Sequence, residues 1–446
     1  MTARTIASRP VFALLLSVVL TRPVGSQQNQ IDLVTPVAPE LAAFGPHAIG
    51  VRTLTVSEDN RVDVVNTKPE GPVPRYTRVL TLEAWYPAAV SGDRQEGRYE
   101  VITRDPNVRA TLAGRAVRDA APQPNGGPFP LVLISHGYPG NRFLMSHLGE
   151  NLASKGYVVV SIDHADSTYD DQKAFASTLY NRPLDQHLVL REIARLSPAG
   201  SGSFLAGRVD ATRTGVIGYS MGGYGVVNLI GGGFSEAAVT MTAAPPQRLL
   251  AERAAASPQY RETLDPRIKA TVAIGPWGMQ AGYWDAEGLA GIRTPVLFVA
   301  GSADDVSGYE KGTRALFELT VNAERYLLTF LNANHNAAAP YPAPVEVMGA
   351  QAGSAYAHYA DPVWDTTRMN NILQHFATAH FDRYLKGDAA KASYFDVVPH
   401  GRDAVYAVDR DGSAQPTHTY WKGFKRGTAV GLVLEKRGCW AVTRIW

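Results

Sequence analysis

A single cysteine, Cys439, occurs among 446 residues. No intramolecular disulfide can form and no multi-cysteine metal cluster can be built, so neither a disulfide scaffold nor a thiolate site organises this chain. An excess of one charge is also missing. The 43 Lys and Arg side chains stand against 41 Asp and Glu, a formal charge of +2, which argues against a nucleic-acid binder working through a basic surface. Long apolar runs are scarce. The run Val11–Leu20 would span only about 15 Å as a helix, half of a hydrocarbon core of roughly 30 Å, so no membrane span is expected. No phosphate loop, dinucleotide fingerprint or metal-spaced histidine pair is present, so neither cofactor nor metal is expected. No solenoid-type repeat or low-complexity tract occurs either.

What is present is a globular composition: 45% hydrophobic and 19% charged residues exclude wholesale disorder. Residues 1–26 place Arg4 and Arg9 before the apolar run and Val24-Gly25-Ser26 after it, the shape of a signal peptide, and predict a secreted or periplasmic protein. Residues 27–129 read as an N-terminal arm with leading strands at Ala48–Val56 and Tyr76–Ala88, followed by a long loop over Ser91–Gly127. From residue 130 to 387 strand and helix patterns alternate. Strands are expected at Leu131–Ser135, Tyr157–Ile162, Thr214–Tyr219, Ile268–Ile274, Pro295–Ala300 and Arg325–Leu331, and helices at Arg142–Ser154, Pro183–Leu196, Tyr309–Leu319 and Asn370–Leu385. Apolar strands alternating with helices imply an α/β domain, a mostly parallel sheet covered on both faces. The alanine- and proline-rich segment 234–265 interrupts that rhythm as a small lid or a plain surface insertion. Residues 388–446 form a C-terminal extension in which Thr419–Lys425 and Thr428–Leu434 look like a strand pair.

Gly218-Tyr219-Ser220-Met221-Gly222 fits the Gly-x-Ser-x-Gly turn between a strand and a helix. That turn strains the serine backbone and leaves no room for side chains at its two glycines. A serine hydroxyl needs a base, and the base an orienting acid, in the chain order Ser, acid, His. Asp304, just beyond the strand Pro295–Ala300, is the candidate acid, with Asp305 as the neighbouring alternative; His335, just beyond Arg325–Leu331, is the candidate base, with His358 as its rival. Backbone amides of Met221 and of Tyr138, in His136-Gly137-Tyr138-Pro139-Gly140, are the candidate oxyanion donors. His136 is expected to brace that loop. Trp277, Met279 and Trp284 follow the Ile268–Ile274 strand and are candidates either for lining a substrate pocket or for simple packing; His164 and Asp166 are candidates for its opposite wall.

With these groups in order, the sequence resembles the α/β-hydrolase superfamily over about residues 130–387. Leu82–Ala88, Ile134–Gly140, Leu152–Tyr157, Ile162–Tyr169 and Gly218–Gly223 look like bacterial dienelactone-hydrolase-like proteins related to secreted platelet-activating-factor acetylhydrolases. The resemblance implies a Ser-His-Asp carboxylic-ester hydrolase, without a metal, acting on small or short-acyl esters. Two positions depart from it. Dienelactone hydrolases use a cysteine nucleophile where this chain has Ser220, so their substrate is not carried over, and Tyr219 stands where many relatives have histidine. The expected partner is a small-molecule ester. A lipase, a serine peptidase or amidase, and a silent fold used for binding are the alternatives. Oligomeric state is not legible.

Overall fold

The computed structural model describes residues 29–90, 97–349 and 353–439. The signal-peptide expectation for residues 1–26 lies outside them. In chain order the principal strands are β1 (Ile49–Val62), β2 (Arg75–Ala89), β3 (Gly97–Ile102), β4 (Arg109–Gly114), β5 (Phe129–Ser135), β6 (Val158–Asp163), β7 (Val209–Tyr219), β8 (Ile268–Ile274), β9 (Val296–Gly301), β10 (Arg325–Phe330) and β11 (Leu432–Arg437). The principal helices are α1 (Ser146–Ser154), α2 (Phe175–Leu196), α3 (Met221–Leu229) and α4 (Thr366–Leu385).

An eleven-stranded sheet carries the order β11-β10-β9-β8-β7-β5-β6-β2-β1, completed by two-residue strands at Val117–Arg118 and Ala121–Pro122. The run from β10 to β6 is parallel throughout, whereas β2, β1 and β11 join antiparallel. Alternation along the strands feeds two cores. Val132 and Ile134 face one side with Leu148 of α1 and Phe376 of α4, while Leu131 and Leu133 face the other with Leu188 of α2 and Val226 of α3. Each such fully buried aliphatic or aromatic side chain stabilises the fold by roughly 1.5–3 kcal/mol. Both faces are therefore covered, and the carboxyl ends of β5, β7, β8, β9 and β10 gather along one rim, where open α/β sheets present reactive groups.

Three elements differ from the sequence expectation. Residues 97–114 form the hairpin β3–β4, paired with Asn29–Gln30 in a separate three-stranded sheet, rather than an irregular loop. Its outward positions are polar, which hides the alternation of buried Tyr99 and Val101. A buried chain fixes it: Trp85 Nε1 donates to Tyr99 Oη at 2.9 Å, Tyr99 donates to Glu150 of α1, and Glu150 accepts the Ala116 amide at 3.0 Å. Helix α2 begins at Phe175, so Pro183 lies inside it and not in its first turn. Among the described residues of the C-terminal extension β11 alone is a strand, antiparallel to β10; residues 419–425 turn instead, with Trp421 buried and its indole donating to the Val398 carbonyl at 2.8 Å.

Segment 234–265 consists of short helical turns at Glu236–Thr240, Pro246–Arg253 and Pro258–Glu262. It is anchored at the carboxyl end of α3, where Arg253 and Tyr260 bond to Asn228, the end remote from Ser220. No residue of this segment lines the cavity described below.

Candidate active site

Ser220 is the hinge between β7 and α3, with φ 53° and ψ −114°. Few non-glycine residues hold a positive φ, and where one does the surrounding structure must enforce it. Here a β-carbon on Gly218 would come within 2.3 Å of the Gly222 carbonyl oxygen, and one on Gly222 within 2.0 Å of the Ser135 carbonyl oxygen. Only glycine at both positions lets β7 turn this tightly into α3. The Ser220 amide donates to Ile274 O at the end of β8, 2.9 Å away. The serine is 7% exposed, enough to reach the cavity.

Asp304 follows β9 and His335 follows β10, and the structure brings them together: His335 Nδ1 lies 2.9 Å from Asp304 Oδ2 and 3.1 Å from Oδ1. A carboxylate only accepts, so Nδ1 carries the proton and Nε2 is left as a base. Asp304 also accepts the amides of Val306 at 2.9 Å and Ser307 at 2.8 Å. Burial works to raise its pKa, but the bond and charge of His335 and these two amides together hold the carboxyl below its ordinary value. The neighbouring Asp305 is exposed and forms no hydrogen bond or ion pair with the imidazole, which bonds Asp304. His358, the rival base, is hydrogen bonded through Nε2 to Tyr169 Oη at 2.8 Å and has no carboxylate partner among the described residues.

Ser220, Tyr219, His335, Asn336, Gly137 and Tyr138 face one cavity of about 370 Å³. A β-carbon on Gly137 would sit 3.2 Å from Ser220 Cβ, so the loop after β5 closes directly over the serine. Neither the Tyr138 nor the Met221 amide donates to a described residue, which leaves both for a ligand oxygen. The Tyr219 hydroxyl donates to Asn336 Oδ1 at 3.0 Å, and its ring lies 5.1 Å from the His335 ring, at 34°.

Trp277, Met279 and Trp284 do not line the cavity. Trp284 is core: 3% exposed, set against Tyr224 and Phe234, with its indole donating to Gly232 O at 2.9 Å. Trp277 is half-buried and stands two rings behind Tyr138, through Phe175 at 5.3 and 5.2 Å, while Met279 is partly buried beside the same aromatic group. In a sequence, an aromatic loop after a strand reads the same whether it faces a cavity or a core.

His164 and Asp166 are not cavity wall either. They belong to a buried network that supports the loop after β5. His164 Nδ1 donates to Asp185 Oδ2 at 3.0 Å, so Ser135 Oγ donates to its Nε2 at 2.8 Å. Asp185 of α2 accepts twice from Arg78, at 2.6 and 2.8 Å, and once from Arg61 at 3.2 Å, while Arg78 also reaches Asp166 at 3.0 Å. Burial would raise the Asp185 carboxyl, yet Arg78, His164 and Arg61 drive it far below the usual carboxylate range. Burial pushes His164 down to about 3, keeping it neutral. Arg182 donates to the carbonyls of His136 and Gly137 and to Ser167 Oγ, fixing the loop that carries Tyr138. His136 Nδ1 donates to Gly137 O at 2.7 Å and its Nε2 accepts the His164 amide at 3.2 Å, a bracing role. Sequence reasoning named none of Arg78, Arg182 or Asp185; Arg78 and Asp185 meet across 107 residues and Arg182 reaches carbonyls 45 and 46 residues away, separations that leave no local signature.

The sheet order, the strand–serine–helix turn and the acid and histidine after successive strands define the class of fold: it is an α/β-hydrolase fold. The family described as PETase, PET hydrolase-like, matches residues 95–247, a stretch that holds Tyr138 and Ser220 and ends before Asp304 and His335. The chain is 26% identical over 205 residues to cutinase est1 of Thermobifida alba, covering 46% of this chain and 52% of that one. It is 25% identical over 210 residues to a bis(hydroxyethyl) terephthalate hydrolase of Streptomyces coelicolor, covering 47% and 51%. The chain thus spans about half the length of the curated relatives it matches. A solved ferulic acid esterase from Streptomyces cinnamoneus superposes with a TM-score of 0.52 at 22% identity, over 80% of this chain and 93% of that one, a likeness of fold.

Proposed function

We propose that the protein is a serine hydrolase that cleaves carboxylic esters, small or short-acyl ones, through an acyl-enzyme on Ser220. The observation that carries this reading is the meeting of a strained, partly exposed serine with the Asp304-oriented His335 at one cavity. Ser220 Oγ attacks the ester carbonyl while His335 Nε2 takes its proton, and Asp304 holds the tautomer and stabilises the imidazolium. The Tyr138 and Met221 amides receive the developing oxyanion; losing one such donor typically costs about 3–4 kcal/mol of transition-state stabilisation. The imidazolium protonates the departing alcohol, and water then releases the acid by the reverse sequence.

The cavity of about 370 Å³ sits at the small end of ligand sites, roughly 300–1,000 Å³, which favours compact substrates. The printed names of the similar proteins, cutinase, bis(hydroxyethyl) terephthalate hydrolase and ferulic acid esterase, all denote ester cleavage and support the same chemistry here. We place the protein outside the cytoplasm on the signal-like residues 1–26; among the described residues no helix is long and apolar enough to cross a membrane. A p-nitrophenyl ester series from acetate to palmitate, run beside peptide anilides, tests the reading. Highest kcat/KM on the short esters is expected. A preference for palmitate would make it a lipase, and anilides cleaved better than every ester would overturn the esterase claim.

A further inference from the structure

The hairpin β3–β4 brings a charge to the cavity that the ester chemistry does not use. Arg104, in the turn after β3, lines the same cavity as Ser220 and His335. Its backbone is fixed: its amide donates to Tyr359 Oη at 2.8 Å, Thr103 N bonds Val108 O at 3.0 Å, and Asn141, just past the loop after β5, donates to Ile102 O at 2.9 Å. Its guanidinium, by contrast, makes no hydrogen bond and no ion pair with any described residue.

The other titratable groups around it do not neutralise it. His358 is held neutral, first by burial and then by the charge of Arg104 itself. Asp304 is committed to His335, and Asp105 turns back to accept from Asn107. Asp305, the carboxylate that lines the cavity, is exposed and forms no ion pair with Arg104. Arg142, likewise half-buried, takes the carboxylates of Asp163 and Glu83 as partners. A partly buried guanidinium with five donors and no acceptor is a ready receptor for a planar anion.

We propose that Arg104 binds a carboxylate of the substrate, so that the preferred substrates are esters bearing a free carboxylate, such as monoesters of dicarboxylic acids or esters of hydroxy acids. The inference rests on the ester-hydrolase reading of the same cavity. Arg104 here sets specificity and does not touch the reacting atoms. The two sources of the carboxylate, acyl side and alcohol side, are separated by the choice of substrate pairs.

On the acyl side, monoethyl adipate is compared with ethyl hexanoate; on the alcohol side, 4-acetoxybenzoate is compared with its methyl ester, all followed by proton release in a pH-stat. The wild type is expected to favour the anionic member of one pair in kcat/KM, and Arg104→Ala to lower that anionic-to-neutral ratio about tenfold or more, the scale of one charge-assisted pair. Arg104→Lys should restore part of the ratio, added salt should shrink it, and Arg402→Ala, at an exposed arginine paired with Asp403, should leave it unchanged. Neutral esters turned over with no anionic preference in either pair, or a ratio unmoved by Arg104→Ala, overturns the role of Arg104 alone. If no ester is turned over, the ester-hydrolase reading fails and this one falls with it.

Discussion

Two groupings of serine, histidine and aspartate lie among the described residues, about one loop apart. At the cavity, His335 meets Asp304 at 2.9 Å beside Ser220; behind the loop after β5, His164 meets Asp185 at 3.0 Å and accepts from Ser135 at 2.8 Å. Residue types and His–Asp distances nearly coincide, so neither distinguishes them. Ser220 is strained at φ 53° and opens on a cavity, whereas Ser135 is an ordinary strand residue with no exposure. Asp304 serves the imidazole and two amides, whereas Asp185 is clamped by Arg78 and Arg61. The inner grouping is scaffolding: it is sealed, its imidazole is neutral, and its charge is already matched. The outer grouping keeps one imidazole nitrogen unspent. Chemistry depends on which groups are left incomplete.

The largest way to break the comparison is to neutralise each aspartate. Asp304→Asn should lower kcat on a short ester by about four orders of magnitude by favouring the wrong imidazole tautomer, with the melting temperature little changed. Asp185→Asn should do the reverse. Leaving Arg78 buried without its counter-charge should cost about 3–5 kcal/mol of stability in urea titration, while kcat of the folded fraction stays within about tenfold of wild type. A large kcat loss with unchanged stability in Asp185→Asn would erase the distinction.

Acid should act on the scaffold before the carboxylates titrate. Burial depresses His147, His375 and His380 to about 3. Unfolded, they titrate near 6.5, so between those values the unfolded chain binds protons that the folded chain refuses, and stability falls as pH falls. The slope approaches about 1.4 kcal/mol per pH unit for each histidine, and the urea midpoint at about pH 5 should lie clearly below that at about pH 7.5. An equal midpoint would mean these histidines are not neutral in the fold.

The smallest effect expected is at Tyr219. Tyr219→Phe removes only the hydroxyl that bonds Asn336, worth about 1 kcal/mol, and should lower kcat about fivefold with KM little changed.

The parallel strands were legible because they are short apolar runs closed by glycine or polar turns, as at Leu131–Ser135 and Ile268–Ile274. Tyr219-Ser220-Met221 between flanking glycines was legible for a different reason: steric exclusion there tolerates almost nothing else. The order of Asp304 and His335 along the chain followed from the strand ends that precede them. What stayed hidden depends on tertiary partners. The β3–β4 hairpin has a polar outer face and one buried side, so its pattern is diluted, and with it went Arg104. Trp284 read equally well as cavity lining or as packing, and Tyr224, Phe234 and the Gly232 carbonyl, which close around it, make it packing. Pro183 suggested a helix start because its missing amide costs least there, yet α2 runs through it from Phe175.

The most direct test of the account is fluorophosphonate labelling with the adduct located by mass spectrometry, on wild type, Ser220→Ala and Ser135→Ala. The account predicts one adduct per chain on wild type and on Ser135→Ala, at residue 220, and none on Ser220→Ala. An unlabelled wild type, or a Ser220→Ala protein labelled as fully as wild type, would contradict it.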